Sequence, residues 1–433
     1  MNDFLLSIKD ILGKDFDKFL QTMDKEPYRA IRINTLKADK KTVLSLLDFV
    51  KEQTPFCKDG YYIDFDAENV GNHPLHHCGA YYVQEPSAMS AVTMLNVQKG
   101  DKVLDLCAAP GSKSTQIASA LSKEGLLWAN EIVPKRASIL LSNIERMGIR
   151  NAVVSCESPE NLCPRFENYF DKILVDAPCS GEGMFRKDKN AYDEWSKEHV
   201  KACAVRQLNI LESAKSTLKA GGEMVYSTCT FSKEENEGVV TEFLKRNKDF
   251  ELVDSNCDFA TNTLKYAKRI FPFQGGEGHF AAKFRKIDGE IFDSIYRYDN
   301  YKDDAFLDEI FARDTYKNLY RVKDRLYSLP SVMPDISHLN ILRAGVLVAE
   351  IKKGRTEPCH NAFSASSIFD CVNVLDLSLD DERLKKFLHG EEIEVEKGLD
   401  GYTVVCVNGI TLSFGKAKNG RLKNKYPKGL RTL

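Results

Sequence analysis

Short apolar runs alternate with helix-length amphipathic segments through the middle of the chain, and this alternation constrains the fold more than any other feature of the sequence. The apolar runs predict strands at 102–106, 126–129, 152–155, 171–175 and 223–226. Helical patterns cover 113–121, 134–147, a short stretch after Ser158, 199–218 and 232–244. Strands separated by helices at this spacing predict an α/β fold, in which a doubly wound, mostly parallel sheet carries helices on both faces.

The segments on either side of this region have different patterns. With 433 residues, the chain is long enough for several domains. Residues 1–95 mix helical and strand patterns, and a strand pattern at 278–284 ends the regular alternation. Short strand patterns separated by glycine-containing turns follow towards the end of the chain, as in a small β-barrel. We therefore predict four domains: 1–95 (α+β), 96–286 (α/β), 287–365 (an α+β linker domain) and 366–433 (β-barrel).

The distribution of charge is more informative than its total. The chain has 61 basic and 63 acidic residues and a formal net charge of −2, which gives no sign of a nucleic-acid partner. Residues 415–433, in contrast, include seven basic residues and no acidic residue. These residues form either a solvated tail or a surface that contacts phosphates, and charge alone does not decide between the two.

Membrane and metal functions are disfavoured by the sequence. Apolar stretches are too short to span a membrane, and the first ten residues lack the basic flank and apolar run of a secretory signal. We therefore expect a cytoplasmic protein with no membrane partner. Of the 12 cysteines, none forms a Cys-x-x-Cys pair, and 76–78 (His-His-Cys) has no second ligand pair at a zinc-like spacing. We expect no metal, and most cysteines should be small buried hydrophobic residues.

The first candidate site follows the first predicted strand. There a loop of small residues leads directly into a helix: Cys107, Ala108, Ala109, Pro110, Gly111, Ser112 and Lys113. Ligands of doubly wound sheets bind at the carboxyl ends of strands, and small residues let the backbone approach them. The loop lacks both Gly-x-x-x-x-Gly-Lys and Gly-x-Gly-x-x-Gly, so a triphosphate and a dinucleotide are disfavoured.

Glu131 stands at the end of the second predicted strand. An acid at this position can accept hydrogen bonds from two ribose hydroxyls. Alternatively, it is an acid at a helix N-terminus that interacts with the helix dipole. Together with the preceding loop, Glu131 favours S-adenosylmethionine over NAD as the cofactor.

Two cysteines stand at the ends of neighbouring strands, Cys179 after the fourth and Cys229 after the fifth. Carbon 5 of cytosine is a weak nucleophile, but a thiolate that adds to carbon 6 converts the base into an enamine that can attack a methyl sulfonium. The dipole of a helix with a capping box at Ser232 and Glu235 would favour the thiolate. Asp176, against the ring nitrogen, would stabilise the adduct. A base must then remove the carbon 5 proton so that the cysteine can leave.

Three motifs, at 107–113, 176–183 and 227–232, resemble those of the Sun/Nop family of RNA 5-methylcytosine methyltransferases. Further similar segments extend the resemblance over nearly the whole chain: 32–36, 181–188, 271–273, 278–280 and 428–430. Of these, 181–188 and 428–430 resemble the bacterial branch that acts on ribosomal RNA of the small subunit.

The resemblance implies the architecture and the roles of the two cysteines. It implies a Rossmann-like class I methyltransferase core that uses S-adenosylmethionine, an N-terminal RNA-binding domain and a C-terminal PUA-like RNA-binding domain. Cys229 would be the nucleophile, and Cys179 would assist release of the methylated product. A PUA-like domain also shifts the interpretation of the basic residues at 415–433 towards RNA binding.

The resemblance also implies contacts around the cofactor. Lys113 and Arg136 would lie near it, and Asp176 would form its edge next to the base. Three residues before the first strand of the core would close over it: Tyr82, Gln84 and Pro86. The family commonly has an Asp at the end of the third strand, which is missing here. Glu157, displaced by one residue, is the candidate for the contact with adenine.

The predicted function is therefore methylation of cytosine carbon 5 in ribosomal RNA, in particular 16S rRNA, by a monomer that binds rRNA or a ribosomal subunit. Three alternatives stay open: a tRNA methyltransferase, a DNA methyltransferase that would use the Pro-Cys thiol and not need Cys229, and a non-catalytic RNA-binding assembly factor. The target base must be unpaired or flipped out, and it would stack on an aromatic residue. Phe185 and Tyr226 are candidates for stacking, or else belong to the core.

Overall fold

The computed structural model describes residues 3–188, 192–289, 296, 298, 301, 305–352 and 354–432. Parts of the predicted domain 287–365 therefore lie outside the described residues, as do residues 1–2, 189–191 and 433.

The N-terminal segment combines helices with a small antiparallel sheet. Its helices are α1 (Asp3–Leu12), α2 (Phe16–Met23), α3 (Lys40–Ser45), α4 (Pro74–His77) and α5 (Ser90–Leu95). Its strands are β1 (Ala30–Ile33), β2 (Val50–Gln53), β3 (Gly60–Ile63) and β4 (Tyr81–Val83), in the order β2-β3-β1-β4. The Asp39 side chain starts α3 by accepting hydrogen bonds from two N–H groups of its first turn.

The central sheet confirms the predicted doubly wound α/β fold. Its parallel strands are β5 (Lys102–Asp105), β6 (Leu126–Asn130), β7 (Ala152–Ser155), β8 (Phe170–Asp176) and β9 (Leu218–Thr228). Its helices are α6 (Ser112–Leu121), α7 (Pro134–Arg146), α8 (Pro159–Leu162), α9 (Lys197–Ala214) and α10 (Val239–Arg246). Antiparallel strands extend it beyond β9: β10 (Phe250–Val253), β11 (Thr261–Thr263), β12 (Ala267–Ile270) and β13 (His279–Lys286).

The order of the parallel strands, β9-β8-β5-β6-β7, determines where a ligand can bind. From β5 the chain runs outward through β6 and β7, and it then returns to the other side of β5 as β8. Ligands of open α/β sheets bind beyond the carboxyl ends of the strands at such a reversal. The ends of β5, β6 and β8 therefore surround the expected crevice.

Both faces of this sheet are covered, which explains its apolar strands. Successive residues of β5 and β6 enter opposite cores: Leu104 and Trp128 pack on one face, and Val103 and Leu127 pack on the other. Parallel strands that are buried on both faces are apolar at consecutive positions rather than at alternate ones. The apolar runs of the sequence therefore mark these strands clearly.

The segment after the central region contributes to two sheets. Its described elements are α11 (Ala305–Asp308), β14 (Leu319–Val322), β15 (Arg325–Ser328), β16 (Ile341–Ala344), β17 (Val346–Lys352), β18 (Arg355–Pro358) and α12 (His360–Ala365). Strand β16 joins the central sheet as an antiparallel edge strand beside β7, whereas β17 belongs to the sheet β14-β15-β17-β18. Gly345 connects them at φ +62°, where a Cβ would lie 2.0 Å from a backbone oxygen of Ser328.

The C-terminal segment forms a five-stranded sheet with one helix. Its elements are β19 (Val374–Leu377), α13 (Glu382–His389), β20 (Ile393–Glu394), β21 (Gly401–Val407), β22 (Ile410–Lys418) and β23 (Arg421–Asn424), in the strand order β19-β21-β22-β23-β20. This sheet shares a hydrophobic core with the N-terminal sheet, in which Ile31 and Tyr81 pack with Val405 and Leu412. The two ends of the chain are therefore in contact.

Candidate active site

The two strand-end cysteines lie side by side. Parallel pairing of β8 with β9 places Asp176 opposite Ser227, so the segments that follow the two strands leave the sheet together. The Sγ atoms of Cys179 and Cys229 are 3.3 Å apart, and both side chains are half-buried. The hydrogen bond to Cys229 raises the pKa of the Cys179 thiol well above its ordinary value, and burial adds to the effect. Cys179 therefore keeps its proton at neutral pH and can donate it to a thiolate beside it.

Asp176 is held at the end of β8 by Lys113, whose Nζ lies 2.8 Å from Oδ2, and by Ser227, whose Oγ donates to Oδ1 at 2.8 Å. Burial opposes ionisation of Asp176, but Lys113, His279 and Ser227 outweigh it and lower the pKa of the carboxyl group. Burial likewise opposes the charge of Lys113, but attraction to Asp176 and Cys229 raises the pKa of the ammonium. A carboxylate–ammonium pair therefore stands beside the two thiols at neutral pH.

The small-residue loop after β5 is fixed by its surroundings. Three side chains from outside donate to its carbonyl oxygens at 2.9–3.1 Å: Arg136 to Ala109, Asn143 to Pro110 and Arg32 to Ser112. Gly111 has φ +111°, and a Cβ there would lie 3.2 Å from Leu140. The backbone of the loop is thus held in one conformation at the start of α6.

A cavity of about 640 Å³ opens at this edge of the sheet. Seven of the predicted site residues line it: Cys107, Ala109, Glu131, Arg136, Asp176, Cys179 and Cys229. The rest of the predicted loop does not line the cavity: Ala108, Pro110, Gly111, Ser112 and Lys113. The volume lies in the range of small-molecule and cofactor sites. Residues predicted from three separate motifs therefore surround one space.

Glu131 fits both of its predicted roles. Its Oε1 accepts a hydrogen bond from the backbone N–H of Val133 at 3.0 Å, just before α7, and its Oε2 lies 3.5 Å from Nη1 of Arg136. The carboxylate thus lies beside the N-terminus of α7 and also forms part of the cavity wall. A carboxylate that can accept hydroxyl donors, small residues at the end of β5 and a cavity of this volume fit a nucleoside such as S-adenosylmethionine.

Glu157 does not reach this cavity, so its predicted contact with adenine needs correction. Its Oε1 accepts a hydrogen bond from the backbone N–H of Asn340 at 2.7 Å, because the chain before β16 packs against the end of β7. The residues that line the cavity here are Pro159 and Glu160, at the start of α8.

Tyr82, Gln84 and Pro86 do not cover the cavity either. Gln84 Oε1 accepts a hydrogen bond from Nε of Arg32 at 3.0 Å, and the guanidinium of Arg32 lies 6.0 Å from the centre of the Tyr82 ring. Arg32 in turn holds the carbonyl of Ser112. Tyr82 and Gln84 therefore act on the loop 107–113 through Arg32. Pro86 is buried before the helical turn Ser87–Met89.

The two aromatic candidates for base stacking belong to the core. Tyr226 is fully buried, and its hydroxyl oxygen lies 2.6 Å from the carbonyl oxygen of Glu235 and 2.9 Å from Gln207 Oε1, either of which can accept its hydrogen. Phe185 packs against Phe4 of α1, with ring centroids 4.9 Å apart. Neither ring lines the cavity.

The sequence did not reveal three cavity residues on α9, namely Arg206, Asn209 and Ile210. Their spacing is that of any buried helix face, so no pattern distinguishes them. It also did not reveal how the two cysteine segments are joined. The N–H of Gly183 donates to the carbonyl of Cys229 at 2.8 Å, and a Cβ at Gly183 would lie 2.8 Å from that oxygen. The glycine-rich sequence after Cys179 is the signal for this close approach.

The capping box predicted at Ser232 is only half formed. Ser232 Oγ accepts a hydrogen bond from the N–H of Glu235 at 3.3 Å, but the Glu235 carboxylate turns towards Ser180 instead of back to Ser232. The segment continues as a π-helical turn, Glu234–Gly238, before α10 begins.

The described part of the chain contains neither a candidate metal site nor a candidate membrane-spanning helix. No group of three or more His, Cys, Asp or Glu side chains there is arranged to hold a metal ion. Nor does any helix in those ranges have the length and apolar character needed to cross a membrane.

Comparison with protein families gives matches along most of the chain. Residues 92–285 match "16S rRNA methyltransferase RsmB/F", and 1–86 match the "N-terminal domain of 16S rRNA methyltransferase RsmF". Residues 305–363 match the "RsmF rRNA methyltransferase first C-terminal domain", and 374–432 match the "Methyltransferase RsmF PUA domain".

Individual relatives extend over nearly all of the chain. The ribosomal RNA small subunit methyltransferase F of Vibrio vulnificus (strain YJ016) is 32% identical over 99% of this chain and 96% of its own length. The protein of the same name from Shewanella oneidensis (strain MR-1) is 32% identical over 96% of this chain and 93% of its own.

Two solved structures are similar to this chain in fold. A methyltransferase homolog protein from Pyrococcus horikoshii is 27% identical, with a TM-score of 0.57 over 66% of this chain and 100% of that one. NSun6 from Pyrococcus horikoshii, solved with SFG, shares the fold at 22% identity and a TM-score of 0.60 over 67% of this chain and 99% of that one. By sequence along almost its whole length, the chain belongs to the ribosomal RNA small subunit methyltransferase F family.

Proposed function

We propose that this chain methylates carbon 5 of a cytosine in 16S ribosomal RNA, with S-adenosylmethionine as methyl donor and a covalent Cys229–cytosine bond as intermediate. The observation that carries the proposal is the 3.3 Å separation of the Cys179 and Cys229 sulfur atoms at the wall of the cavity. Membership of the family supports ribosomal RNA as the substrate.

The cofactor is assigned to the β5–β6 side of the cavity. S-Adenosylmethionine, when bound, supplies an electrophilic methyl group on a sulfonium. Glu131 would accept hydrogen bonds from its ribose hydroxyls, and Arg136 and the loop 107–113 would surround it. Cys107 and Ala109 bring only small side chains to this wall, so a ligand can lie close to the backbone.

Cys229 is assigned as the nucleophile. Its thiolate adds to carbon 6 of the cytosine, and carbon 5 becomes nucleophilic. Lys113, held by Asp176 at 2.8 Å, brings a positive charge near Cys229. Asp176 contacts the pyrimidine ring nitrogen. Because the pKa of Asp176 is lowered, its carboxylate only accepts hydrogen bonds. It therefore stabilises an adduct whose ring nitrogen has taken up a proton from solvent.

Cys179 is assigned to product release. Once carbon 5 carries the methyl group, its remaining proton passes to solvent water as the base, and the electrons of that C–H bond expel the sulfur of Cys229 from carbon 6. Cys179 lies 3.3 Å from the departing sulfur and keeps its own proton, so its S–H can stabilise the leaving thiolate.

RNA binding is assigned to the β22–β23 hairpin. Lys416 lies opposite Lys423, and Lys418 lies opposite Arg421, with all four side chains exposed. Arg421 also forms an ion pair with Glu392, with Nη1 3.1 Å from Oε1. Lys416 and Lys423 are like charges directly opposite each other, which destabilise a hairpin, and phosphates would relieve that repulsion. The basic segment is thus a folded surface, which favours RNA contact over a solvated tail.

The proposed division of labour follows the four predicted domains. Residues 96–286 carry out the chemistry, 1–95 and 366–433 bind RNA, and 287–365 link the catalytic and C-terminal parts. The active species is proposed to be a monomer. A ribosomal substrate requires a cytoplasmic enzyme.

Labelled S-adenosylmethionine and three RNAs test the proposal: naked 16S rRNA, small subunits from cells that lack this gene, and tRNA. We expect label in 5-methylcytosine of 16S rRNA, naked or assembled, and none in tRNA. Cys229→Ala should abolish labelling, whereas Glu212→Gln, on α9 but bonded to Lys215 and Asn247, should not. Labelling of tRNA alone would show that tRNA, and not 16S rRNA, is the substrate. Binding of RNA without any labelling would indicate a non-catalytic assembly factor.

A further inference from the structure

Two adjacent residues after Cys229 are fully buried and carry polar side chains, Glu235 and Asn236. They lie in the π-helical turn Glu234–Gly238, and the cavity wall does not include them. A buried polar group is costly unless it is hydrogen-bonded. Single π-helical turns within helices are frequent at functional sites. The hydrogen bonds of these two side chains therefore indicate what this turn supports.

Asn236 binds the residues on both sides of Cys229. Its Nδ2 donates to the carbonyl oxygen of Thr230 at 2.9 Å, and its Oδ1 accepts a hydrogen bond from Oγ1 of Thr228 at 2.6 Å. One amide thus holds the side chain before the nucleophile and the backbone after it.

Glu235 binds the residues on both sides of Cys179. Its carboxylate accepts hydrogen bonds from the N–H of Ser180, at 3.0 Å, and from the hydroxyl of the same residue. It also accepts from Nε2 of Gln207 at 2.7 Å, and Gln207 in turn donates to the carbonyl oxygen of Pro178 at 2.9 Å. One carboxylate thus fixes the other cysteine, directly and through Gln207.

We propose that Glu235 and Asn236 are positioning residues with separate tasks: Asn236 holds Cys229 for attack on the base, and Glu235 holds Cys179 for release of the product. The inference rests on the roles proposed above for the two cysteines. The two segments also touch each other, because the hydroxyls of Ser180 and Thr230 are 2.8 Å apart. Each residue therefore affects both cysteines to some extent. We expect Asn236 to affect mainly the attack on the base and Glu235 mainly the release of the product, so the rates of both steps must be measured in each variant.

The test compares Glu235→Gln and Asn236→Ala in a single turnover and in steady state, with the same RNA and S-adenosylmethionine. A glutamine at 235 cannot accept all three donors, because its NH₂ group faces one of them. Glu235→Gln should slow turnover about tenfold and accumulate a denaturation-resistant protein–RNA adduct, with single-turnover methyl transfer nearly unchanged. Asn236→Ala should instead slow single-turnover transfer about tenfold and accumulate no adduct.

Milder variants and controls accompany these two. Ser180→Ala removes one bond to Glu235, and Thr228→Val removes one bond to Asn236, so each should reproduce the defect of its partner in weaker form. Combining Glu235→Gln with Cys179→Ala should add nothing to the adduct seen with Cys179→Ala alone. Glu212→Gln controls for the loss of a carboxylate and should behave as the unmodified chain.

Separate outcomes overturn the inference and the function. If Cys179→Ala accumulates adduct but Glu235→Gln and Ser180→Ala do not, the positioning role of Glu235 is wrong and the function stands. Equal losses of attack and release in the 235 and 236 variants would mean that both residues only support the fold. If Cys179→Ala itself accumulates no adduct, the assignment of the cysteines falls, and this inference falls with it.

Discussion

Replacing Lys113 with methionine keeps a long side chain but removes the positive charge that lies 2.8 Å from Asp176. The Lys113 side chain is 9% exposed and that of Asp176 is 30% exposed. Removing one partner of a buried ion pair costs about 3–5 kcal/mol, because the other charge stays buried. Asp176 is partly exposed and keeps its hydrogen bond from Ser227, so we expect the free energy of unfolding to fall by about 2 kcal/mol at pH 7.5.

A double-mutant cycle with Asp176→Asn isolates this interaction, because asparagine keeps the shape of the side chain and removes its charge. We expect a coupling energy of about 2 kcal/mol between the two positions. Urea denaturation followed by tryptophan fluorescence measures it, since both tryptophans, Trp128 and Trp195, lie in the catalytic region. A coupling energy below about 0.5 kcal/mol, the value of an exposed ion pair, would refute the reasoning.

The pH dependence of the same variant gives a second measurement. The pKa of Asp176 is lowered, so its contribution to stability is present above the unfolded value of 3.8 and is lost as pH falls through the folded value. The pKa of Lys113 is raised, so its contribution is present below 10.5 and is lost as pH rises through the folded value. In Lys113→Met, burial makes ionised Asp176 costly. The difference in the free energy of unfolding between the unmodified chain and Lys113→Met should therefore become smaller as the pH falls towards 4.

Three further outcomes are expected. Gly183→Ala should slow single-turnover methyl transfer at least about tenfold, because the new Cβ would lie 2.8 Å from the carbonyl oxygen of Cys229 and displace that backbone. An unchanged rate of transfer would contradict the close approach of the two segments. Glu131→Gln should weaken binding of S-adenosylmethionine about tenfold in calorimetry and leave RNA affinity unchanged, since its carboxylate faces the cofactor side. Replacing both Lys418 and Lys423 with alanine should weaken RNA binding and reduce its salt dependence: the slope of log affinity against log salt concentration should be smaller by about 1.5. An unchanged slope would show that the hairpin does not contact the RNA.

Much of the central fold was predictable because buried parallel strands are apolar at consecutive positions. The runs at β5, β6 and β8 therefore stand out from the amphipathic helices between them. The fold class, predicted from this alternation, is confirmed, and so are the family and the methyltransferase activity with S-adenosylmethionine, predicted from the strand-end motifs. Strand β16 was not predictable as an edge of the central sheet. Its pairing with β7 depends on the turn at Gly345 and on packing far away in sequence.

Within the site, several predicted residues that line the cavity follow the ends of strands in the central sheet. Cys179, Cys229 and Glu131 are of this kind, and they share one cavity. Side chains on loops were predicted less well, because their direction depends on partners from other segments. Glu157 turns to the backbone of Asn340, which belongs to a distant part of the chain.

The identity of the cysteine bonded to RNA in the Cys179→Ala variant tests the central claim most directly. The denatured adduct is digested with protease and nuclease, and mass spectrometry locates the attached nucleotide. The proposed mechanism predicts a methylated cytidine on the peptide that contains Cys229, and no adduct when Cys229→Ala is added. An adduct that forms in the Cys229→Ala single variant, with the nucleotide attached to Cys179, would contradict it.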